Sequence, residues 1–179
     1  TVKDLISLGS SMGFEVTIAD LMETETGQVS STSIRKALAE GRPKDAAKQL
    51  GHWHRIEGVV IGGEQRGREL GYPTANMSLD GLHLPNLGVY AVLVDVLNGE
   101  HVGCYNGVAS LGVRPMFGEN TPNLETFIFD FSGDLYGATL SVALVDFMRP
   151  EIKFDSLEKL IVQMDQDSLK AKELLKSFK

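Results

Sequence analysis

GVYAVLVDVLNGEHVGCYNGVAS, residues 88–110, has the pattern of two β-strands joined by a turn. Its two halves, Gly88–Leu97 and His101–Ser110, are rich in the β-branched and aromatic residues that are typical of strands. Asn98-Gly99 lies between them and predicts a type I′ hairpin turn, in which both central residues have positive φ. The stretch therefore predicts two neighbouring antiparallel strands.

Further β runs of similar length lie on both sides of this stretch. They cover Ile56–Ile61, Leu124–Phe131 and Thr139–Phe147, and Gly, Pro, Asn and Asp residues separate them. No helical pattern intervenes, so the strands are expected to pair antiparallel rather than through βαβ crossovers. The pattern predicts a mainly β domain, a six-stranded-type antiparallel Greek-key-like barrel that is closed or nearly closed.

The last segment of the chain has the pattern of an amphipathic helix. We expect Asp155 to cap it, with Glu158 at the third helical position. An approximate apolar stripe is formed by Leu157, Leu160, Ile161, Met164, Leu169 and Leu175. The stripe predicts a C-terminal helix that packs across the barrel.

The first 50 residues have a different pattern and predict a small α/β fragment. Apolar positions within residues 2–12 indicate a helix, and the alternation in Phe14–Ile18 indicates a short strand. Ser30–Ser33 offers N-cap residues for a second helix, and Gly41-Arg42-Pro43 separates it from a third at Lys44–Leu50. We therefore expect a domain boundary between residues 1–50 and 51–179.

Composition narrows the classes of function. A formal net charge of −7 disfavours broad binding to nucleic acid, which requires Lys and Arg along the phosphates. The lone cysteine, Cys104, has no partner for an internal disulfide, and no apolar run approaches the roughly 18 residues that a membrane-spanning helix needs. We expect a cytoplasmic protein that acts without nucleic acid or a membrane.

The stretch from Ile61 to Asn76, IGGEQRGRELGYPTAN, carries the clearest indication of chemistry. Its early glycines would let backbone N–H groups approach an anion, and Arg66 and Arg68 would add positive charge. Glycines of this kind are also common in ordinary turns, and the segment lacks the Gly-Lys-Ser/Thr of a P-loop. Pro73 favours an extended segment in which Thr74 and Asn76 point to one face.

The oxygens of Thr74 and Asn76 are hard ligands suited to Mg²⁺ carried on ATP, although a polar turn would have the same residues. Here the sequence resembles a known family, because GYPTAN at residues 71–76 is similar to the Gly-aromatic-Pro-Thr-Ala-Asn signature of riboflavin kinases. The resemblance implies that Thr74 and Asn76 work with Mg²⁺ and the ATP phosphates. It also implies nucleotide binding by Gly62 and Arg68.

A second block, residues 106–118 followed by 124–131, resembles the strand, Arg-Pro loop and strand that carry the catalytic glutamate in this family. The resemblance makes Glu125 the candidate catalytic base. A primary alcohol needs such a group, since a carboxylate that accepts its proton makes it a better nucleophile. Without the resemblance, Glu125 would be an ordinary strand residue. Met116 departs from the Thr expected after Arg-Pro.

A third block, residues 134–137 and 147–157, resembles the flavin side of the same family. By position it implies that Tyr136, Arg149 and Phe154 bind the flavin. Aromatic faces suit the isoalloxazine ring, and a guanidinium can bond to its oxygens or stack on it. The alternative is that both aromatic residues belong to the core and that Arg149 lies at the surface.

Val29–Arg35, VSSTSIR, resembles the end of the adenylyltransferase module that precedes the kinase in bacterial bifunctional enzymes. Ser33 replaces the Arg that is usual there, and no His-x-x-His-like motif is recognisable in residues 1–50. We interpret His52 and His54 as part of the segment that leads into the barrel rather than as metal ligands.

The resemblance implies transfer of the ATP γ-phosphate to the riboflavin 5′-hydroxyl, which gives FMN, with Mg²⁺ as cofactor. It also implies a parent protein that makes FAD through an adenylyltransferase module in cis, while this chain alone would not adenylylate FMN. Two other functions remain open. One is a non-catalytic, regulatory barrel that binds flavin or nucleotide, and the other is a barrel that binds protein or nucleic acid.

Overall fold

The computed structural model describes residues 1–20, 22–24, 27–62, 70–116 and 119–178. The helices are α1 (Val2–Met12), α2 (Ser31–Ala39), α3 (Pro43–Leu50) and α4 (Leu157–Leu175). The strands are β1 (Glu23–Thr24), β2 (Gly27–Gln28), β3 (Arg55–Val59), β4 (Thr74–Ser78), β5 (Gly88–Val96), β6 (Gly103–Met116), β7 (Glu119–Ile128) and β8 (Thr139–Arg149). Among the helices of this described part, none is long and apolar enough to cross a membrane.

Six strands form one antiparallel sheet in the order β3-β8-β5-β6-β7-β4. β5, β6 and β7 are neighbours in sequence and in space, and β8 returns to lie beside β5, which is a Greek-key arrangement. The two edge strands approach each other where the Ile61 N–H donates to the Asn76 carbonyl at 2.9 Å. The prediction of a nearly closed Greek-key barrel is confirmed.

The barrel interior contains the main hydrophobic core. Every strand of the barrel contributes inward side chains, because alternate residues of a strand point to opposite faces. The largest of these that are fully buried are Met77, Tyr90, Val92, Val94, Val96, Leu111, Leu124, Leu140, Val142 and Leu144.

Helix α4 packs on the outside of the barrel, as predicted, but Leu157 and Leu169 of the predicted apolar stripe are exposed. It contributes Ala171 and Leu175 to a second buried cluster, together with Ala91, Phe129 and Val145 from the strands. The predicted cap is wrong by one residue. Ser156 is the N-cap, and its hydroxyl accepts from the Lys159 N–H at 3.4 Å, so Asp155 lies outside the helix.

Asn98-Gly99 does not form the predicted type I′ turn. β5 ends at Val96 and β6 begins at Gly103, so the connection is longer than two residues. Of the two residues in question, only Gly99 has a positive φ, 90°. The Asn98 side chain instead ties the connection to β8, accepting from the Thr139 N–H at 2.8 Å and donating to the Thr139 hydroxyl at 3.1 Å.

The strand β4 is present where the sequence suggested only an extended segment. Pro73 precedes it and does not interrupt its ladder, since the first paired residue is Thr74. Ala75 and Met77 point into the core, and the polar residues alternate with them. The strand was not predicted because it is short and has few apolar residues.

The prediction of a strand at Phe14–Ile18 is wrong. That segment has no strand pairing, and Phe14 and Ile18 are exposed. A strand needs a partner, and β1 and β2 pair only with each other within the described residues. The helices are as expected, with a capping box at Ser30 and Ser33 and Pro43 at the start of α3.

The α2–α3 pair is attached to the barrel. The Asn86 N–H donates to the Leu38 carbonyl at 2.9 Å, and Lys44 forms an ion pair with Asp146 at 2.6 Å. Gly41 has φ of 69° at the connection between the helices, and a side chain there would press on the ring of Phe147. These contacts hold the two helices against β8 and the segment before β5.

Candidate active site

A row of polar residues crosses the outer face of three neighbouring strands. Asn76 on β4 is opposite Glu125 on β7, and Glu125 is opposite Ser110 on β6. The neighbours Met77 and Leu124 are fully buried in the core, so the polar residues of this row point away from the barrel interior. The sheet register therefore brings together the candidate base and a candidate ligand that are far apart in sequence.

Asn123 links these two residues through its side-chain amide. Its Nδ2 donates to Glu125 Oε1 at 3.2 Å and to Asn76 Oδ1 at 3.4 Å. Asn76 in turn donates its own Nδ2 to the Thr74 carbonyl at 3.3 Å. The Asn76 amide therefore has its oxygen directed toward β7.

A pocket of about 280 Å³ lies at the rim of the barrel beside this row. Thr74 and Asn76 form part of its wall, and the loop after β7, residues 131–136, forms another part. Tyr136 is the residue of this loop that the sequence assigned to the flavin. The pocket therefore brings Tyr136 together with the two proposed Mg²⁺ ligands.

Thr126 is a further polar residue of this pocket that sequence reasoning missed. It is fully buried, and its hydroxyl has no hydrogen-bond partner in the part of the chain that the structure describes. Buried polar atoms are normally satisfied, so an unpartnered hydroxyl in a pocket wall suits a polar ligand.

The glycine-rich loop begins next to this pocket. Ile61 bridges to Asn76, which places Gly62 beside β4. A side chain added at Gly62 would meet no atom of the described residues within 4 Å. Arg68, the other proposed nucleotide-binding residue of the loop, lies outside the described residues.

Tyr72, within the GYPTAN segment, connects the start of β4 to helix α4. Its ring packs on Phe127 with a centroid distance of 4.9 Å, and its hydroxyl donates to Asp165. Burial, together with the Asp165 carboxylate, raises the pKa of Tyr72 to about 12, so the hydroxyl keeps its proton at neutral pH. The segment that precedes Thr74 is thereby fixed to the helix.

Arg149, at the end of β8, is held by a buried carboxylate. Its guanidinium donates to Asp167 of α4 at 2.6–3.1 Å, and Gln163 also donates to Asp167. The guanidinium carbon of Arg149 lies 6.0 Å from the centroid of the Phe154 ring. Two of the three proposed flavin residues therefore contact each other, and their arrangement is anchored to α4.

Tyr136 does not belong to that group. It precedes β8, whereas Arg149 is the last residue of the strand. At about 3.3 Å per residue, the two ends of β8 are roughly 30 Å apart, farther than the length of a flavin ring system. The structure thus separates the three residues into two groups, one at the pocket and one at the β8–α4 connection.

The β8–α4 connection also reaches the polar row. The Glu151 side chain lies against Gly112 of β6, so closely that a methyl group at position 112 would collide with its carboxylate. Gly112 is the cross-strand neighbour of Asn123. Glu125 therefore lies between the pocket on the β4 side and the Arg149–Phe154 segment on the β6 side.

The residues present fit a Mg²⁺ ion carried by a nucleotide. The Thr74 hydroxyl and the Asn76 amide oxygen are hard oxygen donors two residues apart on one face of β4. They lie at the wall of an open pocket rather than in a closed cage. Such a site suits an ion that brings its own phosphate and water ligands.

Asn123 and Asp167 have clear contacts in the site, and sequence reasoning missed both. Asn123 was missed because the pairing of its strand with the neighbouring strands was not predicted. Asp167 was missed because it is one of several acidic residues on the C-terminal helix. For Asn123, a signal was available in the strand period, because a residue two positions before Glu125 shares its face. Nothing in the sequence pairs Asp167 with Arg149.

Comparison with known proteins assigns the chain to a family. The family model described as riboflavin kinase matches residues 50–175. The bifunctional riboflavin kinase/FMN adenylyltransferase of Listeria monocytogenes is 40% identical over 156 residues, which are 86% of this chain and 48% of that protein. The protein of the same description from Haemophilus influenzae is 42% identical over 150 residues, which are 84% of this chain and 48% of that protein.

A solved structure agrees in fold over nearly the whole chain. It is described as the macrolide-efflux protein from Streptococcus pneumoniae, with a TM-score of 0.79 and 39% sequence identity. The match covers 93% of this chain and 53% of that one. The chain spans about half the length of the curated relatives it matches. From the family match over residues 50–175, the chain belongs to the riboflavin kinase family.

Proposed function

We propose that this chain is a riboflavin kinase that transfers the γ-phosphate of ATP to the 5′-hydroxyl of riboflavin. The observation that carries the proposal is the polar row, in which Glu125 lies opposite Asn76 and two residues from Asn123. The row brings the Glu125 carboxylate beside Asn76, which lines a pocket together with Thr74. Family membership supports the same reaction.

The nucleotide binds in the pocket at the barrel rim in this proposal. Its phosphates lie at Thr74, Asn76 and the glycine-rich loop that begins at Gly62, with Arg68 as a further contact. Tyr136 forms another part of the wall and borders the nucleotide. Bound with ATP, Mg²⁺ would neutralise phosphate charge during the transfer, and Thr74 and Asn76 are the residues that would hold it.

Riboflavin binds on the other side of Glu125. Arg149 and Phe154 provide a fixed guanidinium and an aromatic ring, and the Arg149–Asp167 ion pair keeps the guanidinium in place. Because Tyr136 lines the pocket of Thr74 and Asn76, we place it beside the nucleotide rather than the flavin. The two substrates then approach Glu125 from opposite sides.

In the chemical step, Glu125 accepts the proton of the 5′-hydroxyl while the hydroxyl oxygen bonds to the γ-phosphorus. The bond between that phosphorus and the β,γ-bridging oxygen breaks, and ADP leaves. A positioned base of this kind typically contributes about 10²–10⁴-fold to the rate. Alignment of the two substrates and neutralisation of phosphate charge supply much of the rest.

We further propose that residues 1–50 are the end of an adenylyltransferase module whose larger part belongs to a longer parent protein, and that residues 51–179 are the kinase domain. The relatives named as bifunctional are about twice as long as the matched region. The parent would then convert FMN to FAD, whereas this chain would stop at FMN.

The test is to incubate the purified chain with riboflavin and ATP, with and without Mg²⁺, and to separate riboflavin, FMN and FAD. We expect FMN only when Mg²⁺ is present, and no FAD. Flavin binding without FMN would contradict the kinase and favour a non-catalytic barrel. FAD formation from added FMN would contradict the statement about the first 50 residues.

A further inference from the structure

We propose that Asn123 is a positioning residue for phosphoryl transfer, because its one side-chain amide holds both the base Glu125 and the ligand Asn76. This inference rests on the proposed function, since it assigns Asn123 a task in that reaction. Asn123 acts through its two neighbours and does not itself touch the reacting atoms.

The first support is the position of Asn123 in the sheet. It pairs with Ser78 on β4 and Gly112 on β6, and it shares the outer face of β7 with Glu125. Only 7% of Asn123 is exposed. A buried amide between strands has little freedom, so the groups bonded to it are held in fixed places.

The second support is the number of donors. A side-chain amide nitrogen has two N–H bonds, and Asn123 has two acceptors within 3.4 Å, the Glu125 carboxylate and the Asn76 oxygen. An amide nitrogen is uncharged, so its hydrogen bond orients the carboxylate without adding a positive charge that would lower the affinity of the carboxylate for the substrate proton. A hydroxyl could donate only one such bond.

The third support is the effect on Asn76. An asparagine amide that rotates by half a turn exchanges its oxygen and nitrogen. The Asn76 Oδ1 accepts from Asn123, and the Asn76 Nδ2 donates to the Thr74 carbonyl. These two hydrogen bonds fix the oxygen end of the Asn76 amide toward β7. Only the oxygen end can bind a cation, so the same amide that orients the base also keeps the ligand in its binding orientation.

Gly112 and Glu151 explain why an amide rather than a carboxylate suits position 123. The Glu151 carboxylate occupies the space beside Gly112, the cross-strand neighbour of Asn123, and Glu125 follows Asn123 by two residues on the same face of β7. An aspartate at position 123 would add a third acidic group there and would remove both donated hydrogen bonds. Asn123→Asp therefore changes the chemistry with almost no change of shape.

The experiment compares Asn123→Leu and Asn123→Asp with the control Asn98→Leu. Asn98 also makes two side-chain hydrogen bonds, but both go to Thr139 and neither contacts the polar row. Thermal melting first establishes that each variant is folded. The second variant at position 123 keeps the test valid if the leucine variant does not fold.

We expect both Asn123 variants to lower kcat roughly tenfold, the effect of losing a hydrogen bond to a charged group, while the KM for riboflavin changes less than about twofold. The control should keep kcat. In a Glu125→Gln background the Asn123 substitutions should cost much less, because residues that act as a unit are not additive. The proposal would be overturned if the Asn123 substitutions still lowered kcat tenfold in the Glu125→Gln background, or if Asn98→Leu lowered kcat as much as they do.

Nucleotide binding provides a readout that does not depend on turnover. Asn123→Leu and Asn123→Asp should weaken binding of Mg-ADP severalfold, measured by calorimetry, and leave binding of ADP in EDTA unchanged. Equal weakening with and without Mg²⁺ would overturn the role in orienting Asn76. If the wild-type chain bound Mg-ADP as stated but formed no FMN, the proposed function would fail while the orientation of Asn76 by Asn123 stood.

Discussion

The two faces of β4 and β7 have different roles. On the inner face, Met77 and Leu124 are fully buried among apolar neighbours and close the core. On the outer face, one residue away in sequence, Asn76 and Glu125 lie in a row of polar groups beside a pocket. Within one short pair of strands, alternate residues therefore serve stability and the proposed chemistry.

The difference between the faces shows how a small barrel can carry an active site. The inner residues fix the register, since a slip by one residue would move every core side chain outward. The register in turn determines which outer residues meet, and so brings Glu125 opposite Asn76. Substitutions on the inner face should reduce stability, and substitutions on the outer face should reduce turnover.

The largest expected effect is on the inner face. Leu124→Ala should lower the free energy of unfolding by about 2–5 kcal/mol, because it leaves a cavity in the core. Leu97→Ala, at an exposed leucine, should change it by less than about 0.5 kcal/mol. Urea unfolding measures both. A nearly neutral Leu124→Ala would show that the inner face does not hold the barrel together.

The next effect is on the outer face. Glu125→Gln should lower kcat on the order of 10²-fold or more, because glutamine cannot accept the proton of the hydroxyl. The melting temperature should stay close to that of the wild type. The matched control is Glu57→Gln on β3, where the carboxylate accepts from the Ser141 hydroxyl rather than from a residue of the polar row. Near-normal turnover in Glu125→Gln would reject the assignment of the base.

A paired substitution tests whether the substrates lie on opposite sides of Glu125. Losing an aromatic contact with a ring costs roughly tenfold or more in binding. Tyr136→Ala should therefore raise the KM for ATP and leave that for riboflavin unchanged, and Phe154→Ala should do the reverse. Steady-state kinetics with each substrate varied in turn makes the measurement. If both variants affected the same substrate, the two-sided arrangement would be wrong.

The smallest expected effect is a change in stability on substitution of Thr126. This residue lies on the inner face of β7 and also lines the pocket. Thr126→Val removes a hydroxyl that has no partner among the described residues, so stability should be unchanged or up to about 1 kcal/mol higher. Thr139→Val is the control, since the Thr139 hydroxyl accepts from Asn98 and its loss should destabilise. A clear loss of stability in Thr126→Val would show that its hydroxyl is already bonded in the free protein.

Much of the fold could be predicted from the sequence, because the core has a strong local signal. Alternating apolar residues in 88–97 and 139–147 identify strands without knowledge of their partners. Phe14–Ile18 has the same alternation but no partner strand, and β4 is a real strand with too few apolar residues to be seen. Local patterns indicate where a strand is possible, and pairing decides whether it forms.

The candidate site was less predictable, because its parts meet through register and tertiary contacts. The family signature located Thr74, Asn76 and Glu125, and the structure brings these residues to one region. Asn123 and the Asp167 carboxylate on Arg149 have no motif of their own. The family resemblance grouped Tyr136 with Arg149 and Phe154. In the structure the length of β8 separates Tyr136 from the other two residues, because closeness in sequence does not mean closeness in a barrel.

Isotope labelling can show whether this chain alone transfers the γ-phosphoryl group of ATP to riboflavin. The chain is supplied with riboflavin, Mg²⁺ and ATP labelled at either the γ- or the α-phosphorus, and the flavins are separated. We expect labelled FMN from γ-labelled ATP and no labelled flavin from α-labelled ATP. Absence of label in FMN from γ-labelled ATP, with riboflavin and Mg-ATP both bound, would contradict it.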